Sequence, residues 1–555
     1  MAWKRFTARI SKCERPAAKT KVLPVLHRQV LQGAAALLLG IGGWTVAAAE
    51  NAAPAKARHV VLISWDGMRP DFINAANTPT LHALAEKGTF FLSHHSVYVT
   101  STEVNGTAMA TGCYPNRSGI MANREYRPDL QLTRPIGTED LAFMRLGDAL
   151  TDGKYVAMPT IAEAVRAAGF PTVIAGTKPV VALHDRDLKR KSNVEKQSVL
   201  LYAGATLPRE ALRKIQDAIG EFPSPPEEPL VPNNPQNDWT TRALTEVLWR
   251  DGVPKFTLLW LGDPDYTQHQ IGPGSDAALK AIRADDDNLA KVLAALDAKG
   301  VRDETDIFVV SDHGFSTVDR MIDLPGMMKK AGFNVLRAFH QTPRPDDILM
   351  VNLGGSESLY VQGHDRALIQ RLVDFLQNSD FAGAIFTREV MPGTFALRDA
   401  RVDTAEAPDI LFSFRWTNAR NRFGTPGSFV SDALAGRRPG FGTHASLSPF
   451  DFHNTLVAAG PDIRSGLQDS LPSANVDLAP TILHLLGIPT LRSMDGRVLR
   501  EALVGDDYTP PQPEVSTIEA TRQFGDKTWR QYLKYTSLGD YLYLDEGNGG
   551  RVVND

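Results

Sequence analysis

The chain has 555 residues, 43% of them hydrophobic and 22% charged. That balance supports a large packed core and excludes a disordered or low-complexity protein. A net charge of −4 gives no basic surface for a polyanion, so no nucleic-acid duplex is expected as a partner.

Residues 1–49 read as a secretory signal peptide. Lys and Arg are scattered through residues 3–28, an apolar run follows from Gly33 to Val46, and Ala47-Ala-Ala49 precedes Glu50. A basic region, a short apolar core and a small-residue cleavage site are the parts of such a signal. The mature protein is therefore expected to be periplasmic or secreted, with no stable membrane insertion after cleavage. Residues 50–58 follow as a linker. Of the two cysteines, Cys13 lies in the signal and Cys113 is left alone, so the export reading rests on the signal and not on disulfides.

From His59 onward, strand-like and helix-like stretches alternate. His59-Val-Val-Leu-Ile-Ser-Trp65 is apolar and β-branched, as in a strand buried on both faces, and Asp66-Gly67 ends it. Thr80 to Gly88 reads as a short helix, and Phe90 opens an extended run. Hydroxyls at Thr100, Ser101 and Thr102 then stand just ahead of a helix-like segment ending at Gly112. Pro159 to Gly169 reads as a helix and Thr172 to Gly176 as a strand. Residues 186–238 break the rhythm with a charge run and a Pro-rich stretch, and are expected to form a surface insertion. Asp238 is placed to cap a helix from Trp239 to Arg250. Phe256 to Leu261 is a buried strand, Ser275 to Lys299 a long helix, and Asp306 to Val310 another strand.

Residues 316–440 read as an inserted lobe. It holds a hairpin from Ile348 to Val361 turning at Gly354-Gly355, a helix from Arg366 to Gln377, and strands near Gly383–Thr387 and Asp409–Phe414. The core resumes with a strand at Thr455–Gly460 and a helix at Val476–Gly487. Residues 59–505 thus form one domain, and 506–555 a C-terminal extension without a readable pattern. The alternation predicts an α/β fold, a largely parallel sheet with helices on both faces.

Chemistry-bearing residues follow the predicted strands: Asp66, then Asp265 with His269, then Asp312 with His313, and finally His444. Asp oxygens and His nitrogens together suit a borderline ion such as zinc. Open α/β sheets gather such residues at the carboxyl ends of their strands. Hydroxyls at a helix start face free backbone N–H groups, a natural seat for a phosphate. His82, His94, His95, His184, His453 and Asp263 read as structural.

The pieces Trp65-Asp-Gly-Met-Arg69, Thr102-Glu-Val-Asn105, Thr111-Gly-Cys-Tyr-Pro115, Gly119-Ile-Met-Ala-Asn123, Asp265-Tyr-Thr-Gln-His269, Ser311-Asp-His-Gly314 and Gly442-Thr-His444 occur in one order. By them the chain resembles the alkaline phosphatase superfamily and is most similar to its nucleotide pyrophosphatase/phosphodiesterase branch. The resemblance implies an alkaline-phosphatase-like hydrolase domain with two zinc ions. Asp66, Thr102, Asp312 and His313 would hold one; Asp265, His269 and His444 would hold the other. Thr102 would be the nucleophile, selected among its neighbours by its spacing to Asn105, Thr111-Gly112 and Asn123. It would form a phosphothreonine intermediate. Asn123 would donate to a phosphate oxygen. The substrate would be a small-molecule phosphodiester or pyrophosphate.

Three positions bear on specificity. Relatives acting on nucleotides often carry an aromatic residue directly after the nucleophile, and here Glu103 stands there. That disfavours nucleoside triphosphates. Lys178 occupies a place near which monoesterases and phosphonate hydrolases of the superfamily bind extra charge. It is a candidate substrate-binding residue and keeps those two activities as the alternative. Cys113-Tyr-Pro-Asn-Arg117 matches a loose sulfatase pattern, but Cys113 follows Thr111-Gly112 where the sulfatase cysteine precedes it, so it reads as a core or loop residue. A non-catalytic binding protein on the same fold is disfavoured because every expected ligand and the nucleophile are present.

Overall fold

The computed structural model describes residues 57–187, 192–227 and 231–553. The segments read as an export signal, and the first residues of the linker, lie outside these. Ala57 is already fixed to the core, its backbone N–H donating to Asp462 Oδ2 at 2.7 Å.

A nine-stranded sheet organises the chain. Its strands are β1 (His59–Trp65), β2 (Thr89–His95), β3 (Thr172–Gly176), β4 (Val199–Tyr202), β5 (Ala205–Leu207), β6 (Phe256–Leu261), β7 (Thr305–Val310), β8 (Leu456–Ala459) and β9 (Leu467–Ala474). Their order is β9-β2-β8-β7-β1-β6-β3-β4-β5. β7, β1, β6, β3 and β4 are parallel neighbours. β8 and β5 run against them.

β1 shows why the sheet must be covered on both sides. Val60 and Leu62 pack into one apolar cluster, with Met109, Ile161 and Ile482 from helices on that face. Val61, Ile63 and Trp65 pack into another, with Leu81, Trp239, Ile282 and Leu289. The pleat sends alternate side chains to opposite faces, so a wholly apolar strand needs helices on both.

Three helices matter for the site: α1 (Thr102–Thr111), α2 (Asp265–Ile271) and α3 (Asp276–Ala298). α1 is buried along its whole length and ends at Gly112 in the left-handed region, φ +67°. That conformation suits glycine.

The lobe expected over residues 316–440 is a six-stranded sheet and part of a four-stranded one. The hairpin strands Asp347–Asn352 and Ser356–Val361 and the helix Arg366–Gln377 stand where the apolar pattern puts them.

Three segments differ from the sequence reading. Within 186–238, β4 joins the central sheet beside β3, because Leu200 and Leu201 are apolar enough to be fully buried. Asp238 does not cap a helix: the helix Asn234–Arg242, with Pro235 in its first turn, opens five residues earlier than expected, and Asp238 pairs with Lys291 from within it. Residues 514–553 form a three-stranded antiparallel sheet, Glu514–Phe524, Lys527–Leu538 and Tyr541–Val553. It is packed against the rest: Trp529 is fully buried, and the Gln531 amide exchanges hydrogen bonds with Ile385 backbone at 2.8 and 3.0 Å.

Candidate active site

Four adjacent parallel strands deliver the site. Asp66 follows β1, Asp265 comes just beyond β6 at the start of α2, Asp312 and His313 follow β7, and Lys178 follows β3. Gly67 turns the chain at φ +72°, where an added Cβ would lie 3.0 Å from the Phe315 ring and 3.1 Å from Asp265 Cβ. Only glycine fits so close to these side chains. Its N–H donates to Asp312 Oδ1 at 3.0 Å. Thr102 opens α1, and His444 follows the short strand Gly442–Thr443 beside the lobe.

The histidines are set for metal binding. Nδ1 of His269, His313 and His444 each lies 2.9–3.0 Å from a backbone carbonyl, of Gly442, Gly314 and Thr100 respectively. A carbonyl only accepts, so each Nδ1 carries the proton and each Nε2 presents a lone pair. Those Nε2 atoms face carboxylates. His269 Nε2 is 3.1 Å and His444 Nε2 3.5 Å from Asp265 Oδ1. His313 Nε2 is 3.2 Å from Asp312 Oδ2, 3.7 Å from Asp66 Oδ1 and 3.3 Å from Thr102 Oγ1. The facing oxygens Asp66 Oδ1, Asp265 Oδ1 and Asp312 Oδ2 are buried and have no hydrogen-bond partner among the described residues. Lone pairs facing lone pairs repel in a dry site unless a cation sits between them. The residues present therefore fit a metal centre, in two groups: Asp265, His269 and His444, and Asp66 and His313 beside the same Asp265.

Electrostatics agree with this. Burial lowers the proton affinity of His444 strongly and of His269 less, keeping both neutral. Burial, and then Asp312, pushes Asp66 well above the carboxylate range. Burial likewise raises Asp312, to about 6. For Asp265 burial pushes upward too, but His269 and Lys178 outweigh it and hold this carboxyl well below its usual range.

Asn123 stands beside the start of α1, its Oδ1 accepting from Glu103 N at 3.2 Å. With Oδ1 so engaged, the two Nδ2 hydrogens are the donors left for a ligand. Lys178 is placed differently from its expected role. Its Nζ donates to Asp66 Oδ2 and to Asp265 Oδ2, both at 2.8 Å. Two of its three N–H groups thus serve metal-ligand candidates, leaving one for a substrate.

Other residues complete the frame. Trp260 Nε1 donates to Asp66 Oδ2 at 2.9 Å. Asn475 Nδ2 donates to the Asp312 carbonyl at 2.7 Å and to Asn105 Oδ1 at 3.0 Å. Trp260 closes a strand next to Asp66's strand and could be found from that neighbourhood; nothing in the sequence around Asn475 marks it. His94 gives both ring nitrogens to Ser473 and Asn475, and Asp263 accepts from Asn233 and Thr267 backbone. Cys113 is buried and free.

The family model of type I phosphodiesterase / nucleotide pyrophosphatase matches residues 60–418. The chain belongs to that family, a branch of the alkaline phosphatase superfamily. As a type I phosphodiesterase / nucleotide pyrophosphatase it is a phosphoester hydrolase. It is 20% identical over 446 residues to bis(5'-adenosyl)-triphosphatase enpp4 of Mus musculus, covering 79% of each chain. It is also 20% identical over 523 residues to human ectonucleotide pyrophosphatase/phosphodiesterase family member 7, covering 92% of this chain and 99% of that one. The solved structure of human ectonucleotide pyrophosphatase/phosphodiesterase 5 shares the fold, with TM-score 0.55 at 16% identity over 80% of this chain and all of that one. A murine form of the same protein, inactive and in complex with AMP, gives TM-score 0.54 at 16% identity, over 78% of this chain and 96% of that one. Among the described residues no helix is long and apolar enough to cross a membrane.

Proposed function

We propose that this phosphodiesterase holds two zinc ions and cleaves small-molecule diesters through a phosphothreonine at Thr102, outside the cytoplasm. One ion would be held by Asp66, Thr102, Asp312 and His313, the other by Asp265, His269 and His444. The observation that carries the proposal is the set of bare histidine nitrogens and unpartnered carboxylate oxygens meeting in two adjoining groups, with Thr102 Oγ1 3.3 Å from His313 Nε2. Bound there, the ions would supply positive charge to the attacking and leaving oxygens and acidify both Thr102 and a water.

The chain's own residues do the rest. Thr102 Oγ1 attacks phosphorus, the bond to the leaving oxygen breaks, and the alcohol departs. Water then attacks the phosphothreonine, releasing a phosphomonoester and restoring the hydroxyl. Asn123 Nδ2 hydrogens stabilise charge on a non-bridging oxygen. The positive end of the α1 dipole favours the same anion. Glu103 offers no face for a base to stack on, so short diesters are better substrates than nucleoside triphosphates.

A second reading, phosphomonoesterase or phosphonate hydrolase, draws on Lys178, whose remaining N–H could meet a doubly charged group. The test is kcat/KM for an aryl methyl diester over the matching aryl monoester, with metal content measured on the same active protein. The diester should win and two zinc equivalents should be found. A strong monoester preference that Lys178→Ala abolishes would establish the second reading, and active protein free of divalent metal would end both.

A further inference from the structure

Lys178 holds two metal-ligand candidates at once, and it does so from behind. Its Nζ donates to the Oδ2 atoms of Asp66 and Asp265, 2.8 Å from each. The oxygens that face the histidines are the other ones, Asp66 Oδ1 and Asp265 Oδ1. The ammonium therefore lies outside the ligand set and touches both halves of it. Its position follows from the sheet: β3, which it ends, lies beside β6, and β6 beside β1.

The surrounding charge is lopsided. Asp66, Asp265 and Asp312 are buried together, and Glu103 and Glu139 add further carboxyls near Lys178. Arg437 acts on Asp265 from outside. Among the described residues, Lys178 is the ammonium hydrogen-bonded to this group. With no metal bound, removing it takes the adjacent ammonium from the buried Asp265 carboxylate and strips Asp66 of a donor, which is destabilising. With metal bound on the opposite oxygens, the same ammonium repels the ions across the carboxylates. An outer partner that makes a ligand more basic strengthens metal binding; a cation on the carboxylate acts in the reverse sense.

We propose that Lys178 is a resident counter-ion of the metal centre. It keeps Asp66 and Asp265 assembled before metal arrives, and it lowers the affinity of both metal positions once metal is there. This rests on the reading of these residues as metal ligands and adds a function of the metal-free chain.

The experiment compares the full-length wild type with Lys178→Met and Lys178→Gln by thermal unfolding, in chelator and in saturating zinc. It also measures zinc affinity by competition with a chromophoric chelator. In chelator, Lys178→Met should melt well below wild type; in zinc the gap should largely close. Zinc should bind the variant about tenfold or more tightly, as linkage between the two measurements requires. Lys178→Gln keeps a donor without the charge and, should the Met variant not survive metal removal, must show the same sign in both measurements. Equal destabilisation with and without zinc, or weaker zinc binding, would overturn the proposal and leave Lys178 as an orienting group. If wild type binds no zinc, the metal reading fails on its own, and an unchanged melt of Lys178→Met in chelator would then overturn the counter-ion role as well.

Discussion

At the residue scale, the proposed site divides into groups that would hold metal and groups that would react. Thr102→Ala removes the attacking oxygen and one of four candidate ligands at its position, while the Asp and His ligands remain. It should retain most metal and lose several orders of magnitude in kcat. Asn123→Ala should lower kcat about 10²–10³-fold, the usual loss for one donor to developing charge. Elemental analysis beside steady-state kinetics checks both; a Thr102→Ala protein that keeps near-wild-type turnover would remove Thr102 from the reaction. Much of this site was readable because strand ends, carboxylates and histidines recur in a family order. What could not be read was how each histidine is set. Gly314, which serves His313, is the next residue in the chain, whereas the carbonyls of Gly442 and Thr100 that take the Nδ1 protons of His269 and His444 come from backbone brought close only by folding. The same is true of Lys178, whose partners lie 112 and 87 residues away in sequence.

At the scale of elements, β7 carries a titratable group at the end away from the site. Asp306 is buried, accepts from Asp462 N at 3.2 Å, and is pushed up to about 7, chiefly by burial and partly by the Asp462 carboxyl. Its folded pKa lies above the unfolded carboxylate value, so the stability it contributes is full below about pH 4 and is lost as pH rises through about 7. Asp306→Asn should flatten that decline, narrowing the difference in melting temperature between pH 5 and pH 8; an unchanged difference would show that Asp306 does not titrate there. The C-terminal sheet makes a second case. Trp529, Gln531, Leu533 and Tyr535 are inward at every second position. That alternation is present in the sequence, yet the strands carry so many polar residues that no apolar run draws attention to them. Trp529 is fully buried and donates to the Gly393 carbonyl at 3.1 Å. Trp529→Ala should cost about 3–5 kcal/mol, seen in denaturant unfolding, with kcat/KM retained under native conditions. A variant as stable as wild type would mean that this sheet is not part of the cooperative unit.

At the scale of the molecule, the fold exists to bring distant segments to one edge of one sheet. The parallel centre was legible because β1, β6 and β7 are apolar on both faces, and such strands need helices above and below. β8 was legible as a strand but not as an antiparallel one, since its direction depends on the lobe between it and β7. The resemblance puts Glu103 where an aromatic residue often stands in nucleotide-cleaving relatives, and the fold puts Lys178 behind the ligand candidates. The central claim is that Thr102 becomes phosphorylated in turnover. It is tested most directly by acid-quenching wild-type protein during hydrolysis of an aryl methyl phosphodiester and locating the adduct by peptide mass spectrometry. A methylphosphoryl group is expected on Thr102, and none in Thr102→Ala. An adduct on Thr100 or Ser101, or wild-type turnover with no adduct under conditions where its breakdown is rate-limiting, would contradict it.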